Sequence, residues 1–211
     1  MPLARVLRVV VFRSEGQAAP VDNLLRDAIV PRLLEVDGVV DAWIGRQGAP
    51  DDRFRVLVST WQAEPDPEPA DLAVIRGATG AVSPVVVTVD QLELAVHARF
   101  ERSEPARVLR IFRGIVRPGE LGPYVDEARA GMTADSEVND GLIAFDLGAR
   151  PPDEFVTASA WTGWAAIEGA TGGNTRQPFA TRNRARLASF AIDHYEALPE
   201  TPSRRPPTSG A

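Results

Sequence analysis

The side chain best suited to chemistry is His194, one of only two histidines among 211 residues. Alternate residues of a β-strand share a face, so His194 shares one with Phe190 and Ile192. Because that face is apolar, we expect the imidazole at the edge of a core or cavity. There it could act as a general base on a phenol or as an axial ligand of haem iron. The plainer alternative is a histidine at the end of a strand, hydrogen-bonded to the main chain.

Five more side chains could bind a ligand beside this histidine: Trp161, Trp164, Tyr124, Tyr195 and Arg176. The indoles could line an aromatic pocket, and the tyrosines could hold a phenolic substrate or relay a proton. The arginine ends the glycine-rich stretch 172–176, which could hold an anion but lacks the strand–loop–lysine order of a phosphate loop. Core packing is the alternative for the indoles, and closure over a cavity mouth is the alternative for the stretch.

The second histidine, His97, does not match His194 in the pattern of strand faces. It alternates with Glu93 and Arg99, whereas His194 alternates with apolar residues. We therefore expect His97 in solvent, and the stronger candidate site in the second half of the chain.

The composition excludes several functional classes. The chain has no cysteine, which excludes disulfides, thiolate nucleophiles and cysteine-ligated metals, and two histidines are too few for a multi-histidine metal site. A formal net charge of −6 makes nucleic acid and anionic membranes unfavourable partners. The apolar run at residues 6–12 is too short for a signal peptide or a membrane span, so we expect a cytoplasmic location.

One short motif occurs twice and predicts a duplicated fold. Ile75-Arg76-Gly77-Ala78-Thr79-Gly80 reappears as Ile167-Glu168-Gly169-Ala170-Thr171-Gly172, and a Ser-x-Trp precedes each copy, at Ser59-Thr60-Trp61 and Ser159-Ala160-Trp161. Self-similarity of this kind indicates structural repeats. We expect the glycine motif to end the second helix of each repeat and to turn the chain towards the last strand.

The pattern of apolar residues predicts the order β-α-β-β-α-β in each half. Residues 1–100 form the first repeat, residues 107–198 the second, and residues 199–211 a disordered tail. Pro31 is expected to kink or divide the first helix. The predicted strands are 6–12, 39–46, 54–61, 85–96 (one strand or two), 107–116, 141–147, 154–161 and 185–197. The predicted helices are 21–36, 70–76, 121–132 and 164–170.

This order is the ferredoxin-like arrangement, an antiparallel sheet with both helices on one face. The other face needs cover, which a second copy supplies when the two sheets pack face to face. The predicted class is therefore α+β, with two ferredoxin-like repeats whose antiparallel sheets pair into an α/β-barrel.

Each half resembles the antibiotic-biosynthesis-monooxygenase (ABM) domain of the dimeric α/β-barrel superfamily. The resemblance rests on Pro31, Val36-Asp37-Gly38-Val39, Gly45-Arg46, Ser59-Thr60-Trp61, Arg117-Pro118-Gly119-Glu120, Phe155-Val156-Thr157, Ser159-Ala160-Trp161 and His194-Tyr195-Glu196. It implies a barrel formed within one chain or between two. It also implies a range of activities: cofactor-independent oxidation of phenols and quinols, haem binding or degradation, or no known activity. The Asn–Trp–His triad of the haem-degrading branch is not transferred, because no motif here fixes its asparagine.

The sequence thus favours an ABM-like protein whose second half binds a small aromatic or polyketide-like molecule. Any catalysis would be a cofactor-independent oxidation with His194 as the base. A non-catalytic ligand-binding or interaction module and a haem-binding or haem-degrading protein are the alternatives. The expected partner is a small molecule, and the expected assembly is a pseudo-dimeric monomer or a homodimer.

Overall fold

The computed structural model describes residues 6–14, 18–48, 53–62, 86–102, 104–178 and 183–198. The first copy of the glycine motif, the predicted helix at 70–76 and the predicted tail at 199–211 lie outside these residues. None of the described helices is long and apolar enough to cross a membrane.

Eight strands and four α-helices make up the described chain. The strands are β1 (Val6–Ser14), β2 (Val39–Arg46), β3 (Phe54–Trp61), β4 (Val86–Glu101), β5 (Val108–Val116), β6 (Leu142–Arg150), β7 (Glu154–Trp161) and β8 (Leu187–Ala197). The helices are α1 (Ala18–Leu24), α2 (Val30–Glu35), α3 (Leu121–Val138) and α4 (Trp164–Thr171), with a π-helical turn at Leu25–Ile29 and a 3₁₀ turn at Asn183–Arg186. The predicted α+β class is confirmed.

The described residues up to Leu92, together with Leu198, belong to one compact unit, and Glu93–Ala197 form a second. In the first unit β3 lies between β1 and β2, and both pairings are antiparallel. Its helical segment is interrupted as Pro31 predicts. The π-helical turn ends at the residue immediately before α2. Pro31 lies in the first turn of α2, where its missing N–H removes no hydrogen bond within that helix.

The second unit contains the full order β5-α3-β6-β7-α4-β8. Its antiparallel sheet runs β8-β5-β7-β6, and the last residues of β4 extend it by pairing with β6. The boundary between the units therefore falls within β4. One face of this sheet packs on α3 and α4, burying Phe112, Phe155, Tyr124 and Ile167 in one apolar cluster.

The repeated Ser-x-Trp has a structural cause in both units. The Trp61 Nε1–H donates to Ser59 Oγ at 3.0 Å, and the Trp161 Nε1–H donates to Ser159 Oγ at 2.9 Å. Residues i and i+2 of a strand share a face, so the serine supplies the acceptor that a buried indole requires. The two copies of the motif are therefore explained by core packing.

The second glycine motif ends a helix, and the glycine that terminates it is Gly172, three residues after Gly169. Gly169 lies inside α4, and Gly172 is the C-cap residue with φ +65°. Gly173, with φ +90°, donates its N–H to the Glu168 carbonyl at 2.8 Å. This left-handed termination favours glycine because other residues are strained at positive φ.

The two glycines of this motif are expected to respond oppositely to alanine. Gly169→Ala should raise the free energy of unfolding by about 0.5–1 kcal/mol, because alanine favours a helix interior and no atom obstructs its Cβ. Gly172→Ala should lower it by roughly 1–2 kcal/mol because of the positive φ. Urea unfolding of the two variants, each the control for the other, measures both changes. Shifts of the same sign would contradict this assignment.

Candidate functional site

A pocket of about 50 Å³ lies between α3 and the sheet of the second unit and is partly open to solvent. Phe112 and Phe145 form its apolar sheet wall, together with Thr157. From α3 it is lined by Tyr124, Met132 and Asp135, and from the loop after α4 by Pro178. Arg110 of β5 completes the sheet wall. Concave apolar sites with a few convergent polar groups are the usual form of small-molecule sites.

The guanidinium of Arg110 is the main polar group of this pocket. Its side chain is fully buried. Its Nη2 donates to the Gln177 carbonyl at 2.7 Å and its Nε to the Thr175 carbonyl at 3.4 Å. Burial lowers the pKa of Arg110 to about 10, which nearby Tyr124 partly offsets, so the group remains a cation at neutral pH.

Tyr124 enters the same pocket from α3. Burial raises the pKa of its phenol above the usual range, although a hydrogen bond with the Thr157 side chain and the charge of Arg110 oppose that shift. The ring packs against Phe155 with centroids 4.4 Å apart. Tyr124 is therefore a neutral phenol at physiological pH, able to donate a hydrogen bond.

His194 lies directly opposite Arg110 in the pairing of β5 with β8. Its ring centroid is 5.1 Å from that of Trp164 on α4. Burial lowers the pKa of His194 to about 4, helped by the charges of Arg110 and Arg176, while a hydrogen bond with the Thr175 main chain acts against the shift. Nε2 is buried and has no hydrogen-bond partner among the described residues. The imidazole is therefore neutral at pH 7, with Nε2 as its remaining acceptor.

The residues predicted from the sequence separate into two groups. His194, Trp164 and Arg176 come together at the loop formed by residues 172–178, and Tyr124 reaches the adjoining pocket. The main-chain hydrogen bond of the plainer interpretation is also present. The structure thus brings four of the six predicted residues to one region of the second unit.

Of the six predicted residues Tyr124 lines the pocket, whereas His194, Trp164, Arg176, Trp161 and Tyr195 do not. Trp161 is buried in the core with its N–H bonded to Ser159. Tyr195 is buried too, and as the neighbour of His194 in a strand it points to the other face of the sheet. A ligand-binding role of either residue stays a prediction. His97 is exposed, as expected.

Sequence reasoning missed Arg110 and Thr157 as site residues. The available signal for Arg110 was the repeat, because Arg107-Val108-Leu109-Arg110 copies Arg5-Val6-Leu7-Arg8 and places an arginine inside an apolar strand. Among the described residues no group of three or more His, Asp or Glu side chains could hold a metal ion.

No protein-family model matches the sequence, and no curated protein matches it. Solved structures do match over nearly the whole chain. A "putative monooxygenase" from Fusobacterium nucleatum has 11% identity and a TM-score of 0.70, covering 94% of each chain. Another from Lactobacillus acidophilus has 8% identity and a TM-score of 0.69, covering 92% of this chain and 94% of its own. An anthrone oxidase-like protein has 13% identity and a TM-score of 0.60, covering 92% and 93%.

Other matches include a ferredoxin-fold protein related to antibiotic biosynthesis monooxygenases from Listeria monocytogenes, a haem-degrading enzyme from the same species, and a chlorite dismutase. The chain therefore has the fold of ABM-related proteins, which confirms the structural resemblance predicted from the sequence. At identities of 8–13% the likeness concerns the fold.

The environment of His194 predicts a pH dependence of stability. Its folded-state pKa of about 4 lies below the usual histidine value of 6.5, so protonation favours the unfolded chain. The contribution to stability is therefore complete above about pH 6.5 and is lost as the pH falls from there through 4. Replacing Arg176 by Gln should raise the pKa of His194, because one repelling charge is removed.

Imidazole NMR titration tests this prediction, with urea unfolding between pH 4 and 7 as the second measurement. Arg150→Gln, which removes the same charge at the β6–β7 turn, is the control and should leave the pKa of His194 unchanged. An Arg176→Gln variant in which His194 titrates as in the wild type would show that the loop charge does not reach the imidazole.

Proposed function

We propose that the second unit binds a small aromatic or polyketide-like molecule in the pocket between α3 and the sheet. The observation that carries the proposal is the composition of this pocket: aromatic rings at Phe112, Tyr124 and Phe145, with a buried guanidinium at Arg110. Rings offer stacking surface to a planar ligand, and the guanidinium fixes the orientation of its oxygen atoms.

The size of the pocket sets a condition on binding. Its volume of about 50 Å³ is well below the roughly 150 Å³ of an apolar cavity that holds benzene. A ligand must therefore extend through the open side or displace the loop of residues 172–178, whose Pro178 lines the pocket. Displacement of this loop would also break the hydrogen bond between the Thr175 main chain and the side chain of His194.

The proposed reaction is a cofactor-independent oxidation of a phenol or quinol. His194 accepts a proton from the bound substrate, and the resulting substrate anion itself reduces oxygen. The protein then needs to hold the ring, remove one proton and keep water away from the anion. His194 is neutral at pH 7, which is the protonation state that a base requires.

A non-catalytic ligand-binding module is the second candidate, and a specific observation favours it. The low pKa of His194 makes the imidazole a weak base, and its Nε2 is buried in the observed loop conformation. The two functions share the pocket and differ in whether His194 exchanges a proton with the ligand.

His194→Ala separates the two candidates. If His194 is the base, the variant should oxidise anthrone about 10²- to 10⁴-fold more slowly than the wild type, the range typical of a lost general base. Oxygen uptake measures the rate. Ser189→Ala, an exposed position on the same strand, is the control and should retain the wild-type rate. An equal rate in the His194 variant would remove the residue from the proposed chemistry.

Haem is the third possibility, and the described pocket does not fit it. A neutral imidazole is the form that ligates iron, but Nε2 of His194 is buried and the adjoining cavity of about 50 Å³ has no room for a four-ring macrocycle.

Addition of haem to the protein is therefore expected to leave the Soret band of free haem unshifted. Absorption spectra of the wild type and of His194→Ala check this. A shift that His194→Ala abolishes would show that the pocket opens far enough to admit the macrocycle and would make haem binding the function.

A further inference from the structure

We propose that Arg110 is the specificity-determining residue of this pocket and that it selects ligands carrying an anionic oxygen, such as a carboxylate, phenolate or enolate. The inference rests on the proposed function, since it assumes that the pocket takes a ligand. Beyond the proposed function, it specifies the charge of the ligand and the residue that recognises this charge.

The first support is the position of the guanidinium. Arg110 lies on β5, between β7 and β8, and is fully buried. A buried cation is costly unless polar atoms surround it. Its contacts with the chain include the carbonyl oxygens of Thr175 and Gln177. Both oxygens belong to the loop of residues 172–178, not to the sheet that carries the arginine.

The second support is that these carbonyls can be replaced. The loop begins with Gly172 and Gly173, which have φ of +65° and +90° and whose Cβ positions are open. Displacement of the same loop is one of the two ways in which a ligand larger than the present cavity can bind. A guanidinium bonds an anionic oxygen more strongly than a neutral carbonyl, and it can bind a carboxylate through two N–H groups. The loop carbonyls therefore occupy the hydrogen-bonding positions on Arg110 that an anionic oxygen of the ligand would take.

The third support is the polar surroundings of the guanidinium within the pocket. Tyr124 and Thr157 line the same space, and their side chains hydrogen-bond to each other. That bond uses one of the two O–H donors, so the other can donate to a second oxygen of the ligand. Asp135 brings a carboxylate to the α3 side. Repulsion from Asp135 thus restricts an anionic group to the sheet side, where Arg110 lies.

Two isosteric probes test the inference in the full-length chain. 2-Naphthoate carries a carboxylate, and 2-naphthamide has the same ring and nearly the same shape without the charge. Isothermal titration calorimetry at pH 7.5 should give a Kd at least about tenfold lower for naphthoate, because hydrogen bonds to charged groups are the stronger ones. The preference should decrease with added salt.

Three variants assign the preference to Arg110. Arg110→Gln should bind both probes equally, and Arg110→Lys should keep part of the preference because it keeps the charge. Arg8→Gln is the matched control, since Arg8 is the equivalent buried arginine of the first unit, opposite Ser59 as Arg110 is opposite Ser159. Its preference should equal that of the wild type.

The outcomes distinguish this inference from the proposed function. Equal affinity of the wild type for the two probes, or a preference that persists in Arg110→Gln, overturns the role of Arg110 and leaves the aromatic pocket standing. Absence of binding of both probes at millimolar concentration overturns the pocket and the inference together. The comparison of probes on the wild type decides the question even if Arg110→Gln does not fold.

Discussion

The guanidinium of Arg110 has to remain hydrogen-bonded at a position that solvent does not reach, and the site of the second unit depends on this requirement. Leaving a buried charge without polar partners costs several kcal/mol. Carbonyls of Thr175 and Gln177 contribute to that solvation, which fixes the loop after α4 against the sheet. The same loop hydrogen-bonds to His194 and lines the pocket with Pro178. One interaction thus sets both the cavity and the surroundings of the histidine.

Both units contain a buried arginine beside aromatic rings. Arg8 and Arg110 occupy equivalent places opposite the serines that bind the buried indoles. The guanidinium of Arg8 lies 5.0 Å from the ring centroid of Trp61, and that of Arg110 lies 5.7 Å from that of Phe112. Contact with an aromatic face compensates part of the cost of burying a cation. The motifs shared by the two units therefore reflect packing, and the proposed function rests on the residues by which the second unit differs.

The sequence predicted the strands best where alternation and turns both mark them, and β2, β3 and β7 have the predicted bounds. It failed where stabilising contacts come from distant residues. The helix expected to end at Met132 continues to Val138, because Arg102 donates to the carbonyls of Ser136, Asn139 and Asp140. No apolar period marks that last turn. Arg110 was missed for the same reason, since its carbonyl partners lie 65 and 67 residues away.

The electrostatics of the site bear on how the proposed oxidation would proceed. A phenol has a pKa near 10, well above that of His194, so proton transfer to the covered imidazole is uphill. An opposite charge at close range lowers the pKa of an acid by about 1–3 units. A ligand oxygen on Arg110 would become more acidic, and withdrawal of the loop would return the pKa of His194 towards 6.5. Both changes favour proton transfer. The proposed reaction therefore requires the ligand to displace the carbonyls of Thr175 and Gln177 from the guanidinium of Arg110.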